Sequence, residues 1–544
     1  MTAAGPVGPL AQEETRMRTQ LHHLVAEAAA GSGDAPALTY KDSTLSYAEL
    51  WQATLDVAGG LRRLGLARAE RVAIYLDKRI ETVTAIFGVS AADGVFVPIN
   101  PLLRAKQVAY ILADCGVRVL VTSPERFELL REELRAAKTV EHVVLVGEPA
   151  LADATVPESE TSYTVTAFAD LTAAGEAGLP PSAVVDIDMG AILYTSGSTG
   201  KPKGVVLSHR NLIVGGESVR AYLNNHSADV ILAALPLSFD AGFSQLTTAF
   251  CSGAHVVLMN YVLPADVVRL CARHKVTGLT CVPPLWIQLA EQTWPAEATQ
   301  SLRYFANTGG RMPRATLEKL RSIFPDASPF LMYGLTEAFR STYLDPAEVD
   351  RRPDSIGKAI PNAEILVVRP DGSPCDAGEE GELVHRGALV SLGYWDDRER
   401  TAERFRPAPG REAGLCLSEM AVWSGDIVVR DEEGFLYFVG RKDEMIKTSG
   451  YRVSPTEIEE VAYDTGLVRD AVALGVDDPK LGQHVVLVAS PPEGGELDAD
   501  VLLAELRKVL PLYMVPRQIV VRAALPRSPN GKFDRNALRQ EVSA

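Results

Sequence analysis

The hydrophobic pattern between Arg71 and Gly147 alternates between two kinds of segment. Stretches with helical periodicity, such as ETVTAIFGVSAA and AKQVAYILADCG, separate short runs of β-branched and aliphatic residues, which are RVAIYL, GVFVPI, RVLVT and HVVLVG. This alternation indicates βα units, whose strands form a mostly parallel sheet covered by helices. The pattern therefore predicts a doubly wound α/β lobe.

Further along, the pattern divides the chain into more regions. After an acidic, loop-rich stretch at 147–184, a second βα series occupies 191–330, and we expect a second lobe of the same large domain. Past Pro361, strand-like segments are closed by Gly-rich turns without helices between them, which predicts an antiparallel, barrel-like subdomain. The last hundred or so residues fit a small α+β domain. The predicted division is a large domain, 1–440, and a small mobile domain, 441–544.

Composition narrows the class of protein. The 544 residues are 47% hydrophobic and 23% charged, as in a folded globular protein. The net charge of −16 has the wrong sign for nonspecific binding to nucleic acid or to an anionic membrane. The six cysteines are scattered without a C-x-x-C pair, and no apolar run reaches the ~18 residues that a membrane span needs. We expect a cytoplasmic protein with no signal peptide and no zinc site.

The segment from Tyr194 to Val206, YTSGSTGKPKGVV, has the composition of a phosphate site. Its glycines allow backbone N–H groups to approach oxyanions, its hydroxyls donate hydrogen bonds, and its lysines supply charge. It is not a Walker P-loop, which would need Gly at Thr195 and Ser or Thr at Pro202. On composition alone the alternative is a flexible surface loop.

This segment resembles the phosphate-loop signature of the adenylate-forming superfamily, which comprises acyl-CoA synthetases, peptide-synthetase adenylation domains and luciferases. Other segments resemble further motifs of that superfamily in the same order; they are MYGLTEA (332–338), WSGDIVVR (423–430), GRKDEMIKTSGYRVSPTEIE (440–459), LPLYMVP (510–516) and LPRSPNGKFDR (525–535). The resemblance covers nearly the whole chain. It implies ATP and Mg²⁺ as cofactors and a small C-terminal domain that moves over the active site.

The resemblance also implies roles for individual residues. Glu337 would bind magnesium, Asp426 would bind the ribose with help from Arg441, and Asp443 would be the hinge. Lys532 would bridge the carboxylate and the α-phosphate, and it is assigned a catalytic role together with Glu337 and Thr195. The implied nucleotide contacts are Thr195, Ser196, Gly197, Ser198, Thr199, Gly200, Lys203, Gly309, Met332, Tyr333, Gly334, Thr336, Asp426, Arg441 and Lys532. Without the resemblance, Glu337 and Lys532 are expected to be solvated surface charges, and Asp426 could equally be a turn residue.

The segment LPLSFDAGFSQLTTAF bears on the acid that is activated. Amino-acid-activating members of the superfamily carry F-D here, with the aspartate facing the substrate ammonium, and this chain has Phe239-Asp240. Taken alone, Asp240 is a good helix N-cap. The implied substrate pocket consists of Asp240, Ala241, Ser244, Cys281, Asn307, Gly309, Met332, Arg340 and Ser341. It suggests a modest side chain, as in alanine, proline or a β-amino acid, although Arg340 could equally face a side-chain carboxylate.

The chain departs from peptide-synthetase modules in two ways. LMYGLTE replaces their N-x-Y-G-P-T-E, and about a dozen residues follow Lys532, so we expect no attached carrier domain. We therefore expect a stand-alone AMP-forming ligase that makes an aminoacyl-adenylate and transfers the acyl group to the phosphopantetheine thiol of a separate carrier protein. The alternatives are a CoA ligase for a carboxylic acid without an amino group and an inactive nucleotide-binding scaffold. Neither a nucleic acid nor a membrane is an expected partner.

Overall fold

The computed structural model describes most of the chain. It covers residues 17–147, 163–175, 178–195, 202–310, 312, 314–410, 414–441, 445–492, 494–526 and 533–543. Several predicted site residues lie outside the described residues, namely Ser196, Gly197, Ser198, Thr199, Gly200, Asp443 and Lys532, and so does the side chain of Arg441.

The helices of the described residues lie in all parts of the chain. They are α1 (His23–Ser32), α2 (Tyr47–Arg63), α3 (Ile80–Ala91), α4 (Ala105–Asp114), α5 (Pro124–Ala136), α6 (Phe168–Thr172), α7 (His209–Leu223), α8 (Asp240–Cys251), α9 (Pro264–His274), α10 (Pro283–Ala290), α11 (Ala296–Thr299), α12 (Arg314–Ile323), α13 (Arg398–Arg404), α14 (Pro455–Asp464), α15 (Ala499–Val509) and α16 (Arg535–Ser543). No helix in the described part of the chain is long and apolar enough to cross a membrane.

The strands in the described part of the chain form three sheets. They are β1 (Pro36–Tyr40), β2 (Ser43–Ser46), β3 (Arg71–Tyr75), β4 (Val95–Pro98), β5 (Val117–Thr122), β6 (His142–Leu145), β7 (Thr164–Ala167), β8 (Met189–Thr195), β9 (Lys203–Ser208), β10 (Val230–Ala233), β11 (His255–Leu258), β12 (Gly278–Cys281), β13 (Tyr304–Asn307), β14 (Ser328–Tyr333), β15 (Thr342–Leu344), β16 (Ser355–Ala359), β17 (Ala363–Val368), β18 (Glu380–Gly387), β19 (Phe405–Pro407), β20 (Met420–Arg430), β21 (Leu436–Arg441), β22 (Ile446–Thr448), β23 (Tyr451–Val453), β24 (Asp470–Asp478), β25 (Gly482–Ser490) and β26 (Gln518–Val521).

The first sheet confirms the doubly wound lobe predicted from the hydrophobic pattern. Its order is β7-β6-β5-β3-β4-β8-β9, with every pair parallel except the antiparallel pair β8–β9. Along β3, Val72 and Ile74 pack with helices α2 and α3, whereas Ala73 and Tyr75 pack with α4 and α5. Because side chains alternate across a strand, a sheet covered on both faces needs the continuous apolar run that the sequence has here.

Within the described ranges the second sheet has fourteen strands, and its membership differs from what the sequence pattern suggests. Its order is β17-β18-β20-β21-β16-β15-β14-β13-β12-β10-β11-β1-β2, with β19 beside β20. The first two strands of the second βα series, β8 and β9, belong instead to the first sheet, because β8 pairs with β4 through Ala191 and Phe96. From β15 onward the strands are antiparallel, so the predicted antiparallel part continues the sheet of the second lobe.

The third sheet, β23-β22-β25-β24 with β26 parallel to β25, forms a small α+β unit with α14, α15 and α16. The turn between β22 and β23 lies against the large lobes. Gly450 in this turn has φ +82°, and a Cβ at this position would lie 2.8 Å from Cγ2 of Val282. Tyr451 makes an edge contact with Phe239 at 5.1 Å between ring centroids. This close approach requires glycine and brings the small unit to the site described below.

Candidate active site

Residues from all three sheets surround one cavity of about 1,900 Å³. The parallel strands of the second sheet supply much of its wall, because their carboxyl ends lie at the same edge. Asn307 ends β13, Tyr333 ends β14, and the chain after β10 leads to Asp240. Thr195, at the end of β8, lines the cavity as well.

A largely buried cluster consists of Lys203, Glu337 and Tyr394. These residues are outside the lining of the cavity, but Pro202 and Thr336, which precede Lys203 and Glu337 in the chain, line it. Lys203 begins β9, and Glu337 lies in a 3₁₀ turn, Thr336–Ala338, that follows β14. The Lys203 Nζ atom lies 3.0 Å from Oε1 of Glu337 and donates to the Tyr394 hydroxyl at 2.7 Å. That hydroxyl donates to the same Glu337 oxygen at 2.7 Å. Each member of the cluster therefore contacts the other two.

The charges of this cluster keep Glu337 ionised. Burial on its own would raise the pKa of this carboxyl, but the cations of Lys203 and Arg452 and the two hydrogen bonds outweigh it and hold the pKa well below its usual range. Burial lowers the pKa of Lys203, an effect that Glu337 partly offsets. The site thus presents a fixed carboxylate, which is the kind of ligand that Mg²⁺ prefers.

Tyr394 is a site residue that sequence reasoning missed. Its position depends on a loop that pairs with β9: Leu392 donates its backbone N–H to Val206 at 2.8 Å, and Trp395 donates to Gly204 at 2.8 Å. This pairing brings the Tyr394 ring within 4.2 Å of the Lys203 ammonium. A tyrosine after a glycine carries no signal of that role, because only the long-range pairing creates it.

A second pair of predicted nucleotide residues, Tyr333 and Asp426, lies close together. The Tyr333 hydroxyl donates to Oδ2 of Asp426 at 2.5 Å. Asp426 is buried in β20, and Arg441 is its partner across the antiparallel β20–β21 pair. The structure therefore places Asp426 beside the backbone of Arg441, so both residues could contact the same group of a ligand.

Asp240 lies at another edge of the cavity and is already in an ion pair. Its Oδ2 atom lies 3.0 Å from Nη1 of Arg340, and its Oδ1 atom accepts a hydrogen bond of 3.2 Å from the Thr336 hydroxyl. Burial raises the pKa of Asp240 even though Arg340 and Thr336 act in the opposite direction. Asp240 is not the N-cap of α8: that position is Phe239, and no side chain caps this helix end.

The rest of the predicted substrate pocket divides into two groups. Ala241, Asn307, Gly309, Met332 and Arg340 line the cavity, whereas Ser244, Cys281 and Ser341 are outside its lining. The latter three are buried; Cys281 packs in the core of the second lobe, and Ser341 hydrogen-bonds Nδ1 of His385 at 2.9 Å.

The residues around the cavity fit a magnesium nucleotide. The Thr195 hydroxyl is buried and has no hydrogen-bond partner within the described ranges, so it is available to a phosphate oxygen. Gly334 and Thr336 also line the cavity, close to Glu337. The described residues contain no group of three or more His, Cys, Asp or Glu side chains that could hold a metal. A magnesium ion here would be held by Glu337 together with phosphate oxygens.

Comparisons with known proteins agree with this arrangement. The family model of the AMP-binding enzyme matches residues 25–395, and that of the AMP-binding enzyme C-terminal domain matches residues 457–532. Tyrocidine synthase 3 from Brevibacillus parabrevis is 30% identical over 95% of this chain and 8% of its own length. The chain spans between 6% and 11% of the five peptide synthases that it matches in this way.

Relatives of full length and solved structures complete the comparison. A feruloyl-CoA synthase from an Amycolatopsis species is 30% identical over 94% of this chain and 96% of its own length. The o-succinylbenzoate CoA synthetase MenE from Bacillus subtilis has a TM-score of 0.79 at 25% identity, covering 95% of this chain and 97% of its own. The amide bond synthetase McbA from Marinactinospora thermotolerans shares the fold, with a TM-score of 0.81 at 24% identity over 96% of this chain and 99% of its own. The chain therefore belongs to the AMP-binding enzyme family of the adenylate-forming superfamily, whose members use ATP with Mg²⁺.

Proposed function

We propose that this ligase activates an amino acid as the aminoacyl-adenylate and transfers the aminoacyl group to the phosphopantetheine thiol of a separate carrier protein. Asp240 is the observation that carries the proposal. Its carboxylate is largely buried at the edge of the cavity that also contains the nucleotide residues. A buried carboxylate at a ligand site is a natural partner for a substrate ammonium group.

The electrostatics of Asp240 support an added positive charge. Its raised pKa means that Arg340, Thr336 and the backbone do not fully offset the cost of burying the anion. A substrate ammonium beside the carboxylate would reduce that cost and favour the ionised form. An acid without an amino group cannot supply this interaction.

The residues of the chain have distinct roles in the proposed reaction. The carboxylate oxygen of the bound acid would attack the α-phosphorus of ATP, with pyrophosphate as the leaving group. Glu337 would hold the magnesium ion, and Thr195 would donate a hydrogen bond to a phosphate oxygen. Thr336 would donate to phosphate only by giving up its hydrogen bond to Asp240. Asp426 would accept from the ribose hydroxyls, since an ionised carboxylate is the acceptor that a diol needs. Lys532, which lies outside the described residues, is proposed to neutralise the two anions that meet.

A CoA ligase for an acid without an amino group is the second candidate. The pairing of Asp240 with Arg340 favours it, because a carboxylate neutralised by its own arginine does not require a substrate cation. The 30% identity to a feruloyl-CoA synthase over 96% of its length also favours the CoA-ligase candidate. The raised pKa of Asp240 favours the amino-acid proposal.

A pyrophosphate-exchange panel on the wild-type protein tests the proposal. Each amino acid is paired with its deaminated counterpart, and the best acid is then offered CoA or a phosphopantetheinylated carrier protein as the thiol. We expect at least a tenfold preference for one or more amino acids and thioester formation on the carrier. A preference for the deaminated acids with transfer to CoA would replace the proposal by the second candidate.

The division into domains 1–440 and 441–544 with a hinge at Asp443 is also a proposal. The contact of Tyr451 with Phe239, next to Asp240, supports it, because a unit docked here must move if the two half-reactions use different partners. We expect Asp443→Pro, which fixes φ near −65°, to spare pyrophosphate exchange and to suppress thioester formation. Equal loss of both activities would contradict a hinge at this residue.

A further inference from the structure

Beside Asp240, the cavity has a second charged group that the proposed reaction does not use. Arg340 is 2% exposed and lines the cavity. Its side chain donates through Nη1 to Asp240 at 3.0 Å, while its Nε atom is buried and has no hydrogen-bond partner within the described ranges. A buried guanidinium donor without an acceptor is costly, so a ligand that supplies one is favoured.

The backbone holds Arg340 in this position. The preceding residue, Phe339, has φ +55°, which is uncommon for a residue other than glycine. Its ring is fully buried and lies against Gly215 of α7, where an added Cβ would come within 2.3 Å of the ring. The ring therefore anchors the turn that directs Arg340 towards Asp240.

A charge count indicates what the missing acceptor is. The charges of Asp240 and Arg340 cancel at this edge of the cavity, and the nearby Glu337 is paired with Lys203. An amino acid brings an ammonium group to Asp240, while its reacting carboxylate belongs on the nucleotide side. Once the ammonium shares the carboxylate of Asp240, the buried guanidinium of Arg340 no longer has a full counter-ion, and an anion beside it would restore the balance.

We infer that Arg340 binds a second acidic group of the substrate, so that the preferred substrate is an amino acid with two carboxylates. This inference rests on the proposed function and specifies its substrate class. The guanidinium fork suits a carboxylate because it can donate two parallel hydrogen bonds. Asp240 would share its charge between Arg340 and the ammonium, and the second carboxylate would satisfy the donors that Asp240 does not use.

Matched acids in a pyrophosphate-exchange assay test the inference. The probes are aspartate and glutamate, their amides asparagine and glutamine, and succinate and glutarate, which lack the amino group. For wild type we expect kcat/KM of aspartate or glutamate to exceed that of its amide at least tenfold. In Arg340→Met we expect the better acid to lose about 10²-fold and its amide less than threefold, and Arg340→Lys should be intermediate because it keeps the charge without the fork.

A matched arginine controls for the loss of a buried ion pair. Arg303 pairs with the fully buried Asp229 at 2.7 Å, outside the lining of the cavity. Arg303→Met should lower the melting temperature without changing the ratio of acid to amide. If Arg340→Met does not fold, the rise in the melting temperature of wild type with each probe compares the acid with its amide. We expect a larger rise for the acid.

The outcomes separate the inference from the proposed function. A wild-type preference for the amides, or equal loss of acid and amide in Arg340→Met, would overturn the assignment of Arg340. If succinate or glutarate exceeds its amino counterpart and depends on Arg340, the assignment of Arg340 stands and the amino-acid proposal fails.

Discussion

Two buried ion pairs lie at the candidate active site, and their carboxylates behave in opposite ways. Asp240 and Arg340 line the cavity, whereas Lys203 and Glu337 lie outside its lining. Lys203 and Glu337 are 3.0 Å apart, and so are Arg340 and Asp240. The pKa of Glu337 is held well below its usual range, whereas the pKa of Asp240 is raised. Equal separation of the charged atoms therefore does not give equal stabilisation of the anion.

The number of positive partners explains the difference. Glu337 is close to two cations, Lys203 and Arg452, and accepts hydrogen bonds from Lys203 and Tyr394. Among the main causes of the shift in the pKa of Asp240 in the described part of the chain, Arg340 is the one cation, and Glu337 repels the carboxylate. Glu337 is thus prepared as an anion before any ligand binds, as a metal ligand should be, while Asp240 gains from a ligand that brings positive charge.

Removing the charge of Glu337 should have the largest effect. Glu337→Gln leaves Lys203 buried without its counter-ion and removes the proposed magnesium ligand. Breaking a buried pair costs ~3–5 kcal/mol, so we expect kcat/KM in pyrophosphate exchange to fall by ~10²–10³. The fall should be smaller at high Mg²⁺, and it should exceed any change in the preference among acids, because Glu337 contributes least among the main causes of the raised pKa of Asp240. A change in that preference as large as the fall itself would contradict separate roles for the two pairs.

A smaller loss is expected from Tyr394→Phe, which removes one hydroxyl and keeps the ring near Lys203. A hydrogen bond to a charged group contributes ~1.5–3 kcal/mol, and we expect kcat/KM for ATP to fall roughly tenfold or somewhat more. Tyr343→Phe is the matched control, because Tyr343 stacks on Tyr222 outside the lining of the cavity. An unchanged rate in Tyr394→Phe would show that the hydroxyl does not organise the cluster.

Behind the Asp240 side of the cavity, His385 should affect stability and not chemistry. Burial lowers its pKa to about 3, against 6.5 for an ordinary imidazole. Below pH 6.5 the unfolded chain binds a proton that the folded chain does not, so the free energy of unfolding falls as the pH decreases towards 3. This contribution reaches ~1.4 kcal/mol per pH unit.

Denaturant unfolding of His385→Gln at several pH values between 6 and 4 measures this contribution. The variant should lose less stability per pH unit than wild type. Ser341→Ala keeps the imidazole but removes its hydrogen bond, so its slope should match that of wild type. If the free energy of unfolding of His385→Gln falls with decreasing pH as steeply as that of wild type, His385 is not buried in its neutral form.

The sequence pattern predicts strands better than it predicts their partners. The runs that become β3, β4, β5 and β6 are evident because both faces of a covered sheet must be apolar. The pattern cannot assign β8 and β9 to the first sheet, since their pairing with β4 joins residues far apart in sequence. For the same reason it cannot place β1 beside β11.

In the candidate site, too, local sequence predicts individual residues better than it predicts their partners. The motifs identify Glu337, Asp426 and Asp240, because short segments carry them. The pairing of Asp240 with Arg340 depends on the turn at Phe339, and the contact of Tyr394 with Lys203 depends on a loop that pairs with β9. Neither leaves a trace in local periodicity or composition.

We propose that the Asp240 pair selects the acid while the Glu337 pair serves the nucleotide. Asp240→Asn tests it most directly, because it removes the charge and preserves the size of the side chain and an acceptor for Thr336. Pyrophosphate exchange is measured for the best amino acid and for its deaminated analogue on wild type and variant. We predict a loss of ~10²-fold or more for the amino acid and less than tenfold for the analogue. Equal losses for the two acids, or a wild-type preference for the analogue, would contradict the account.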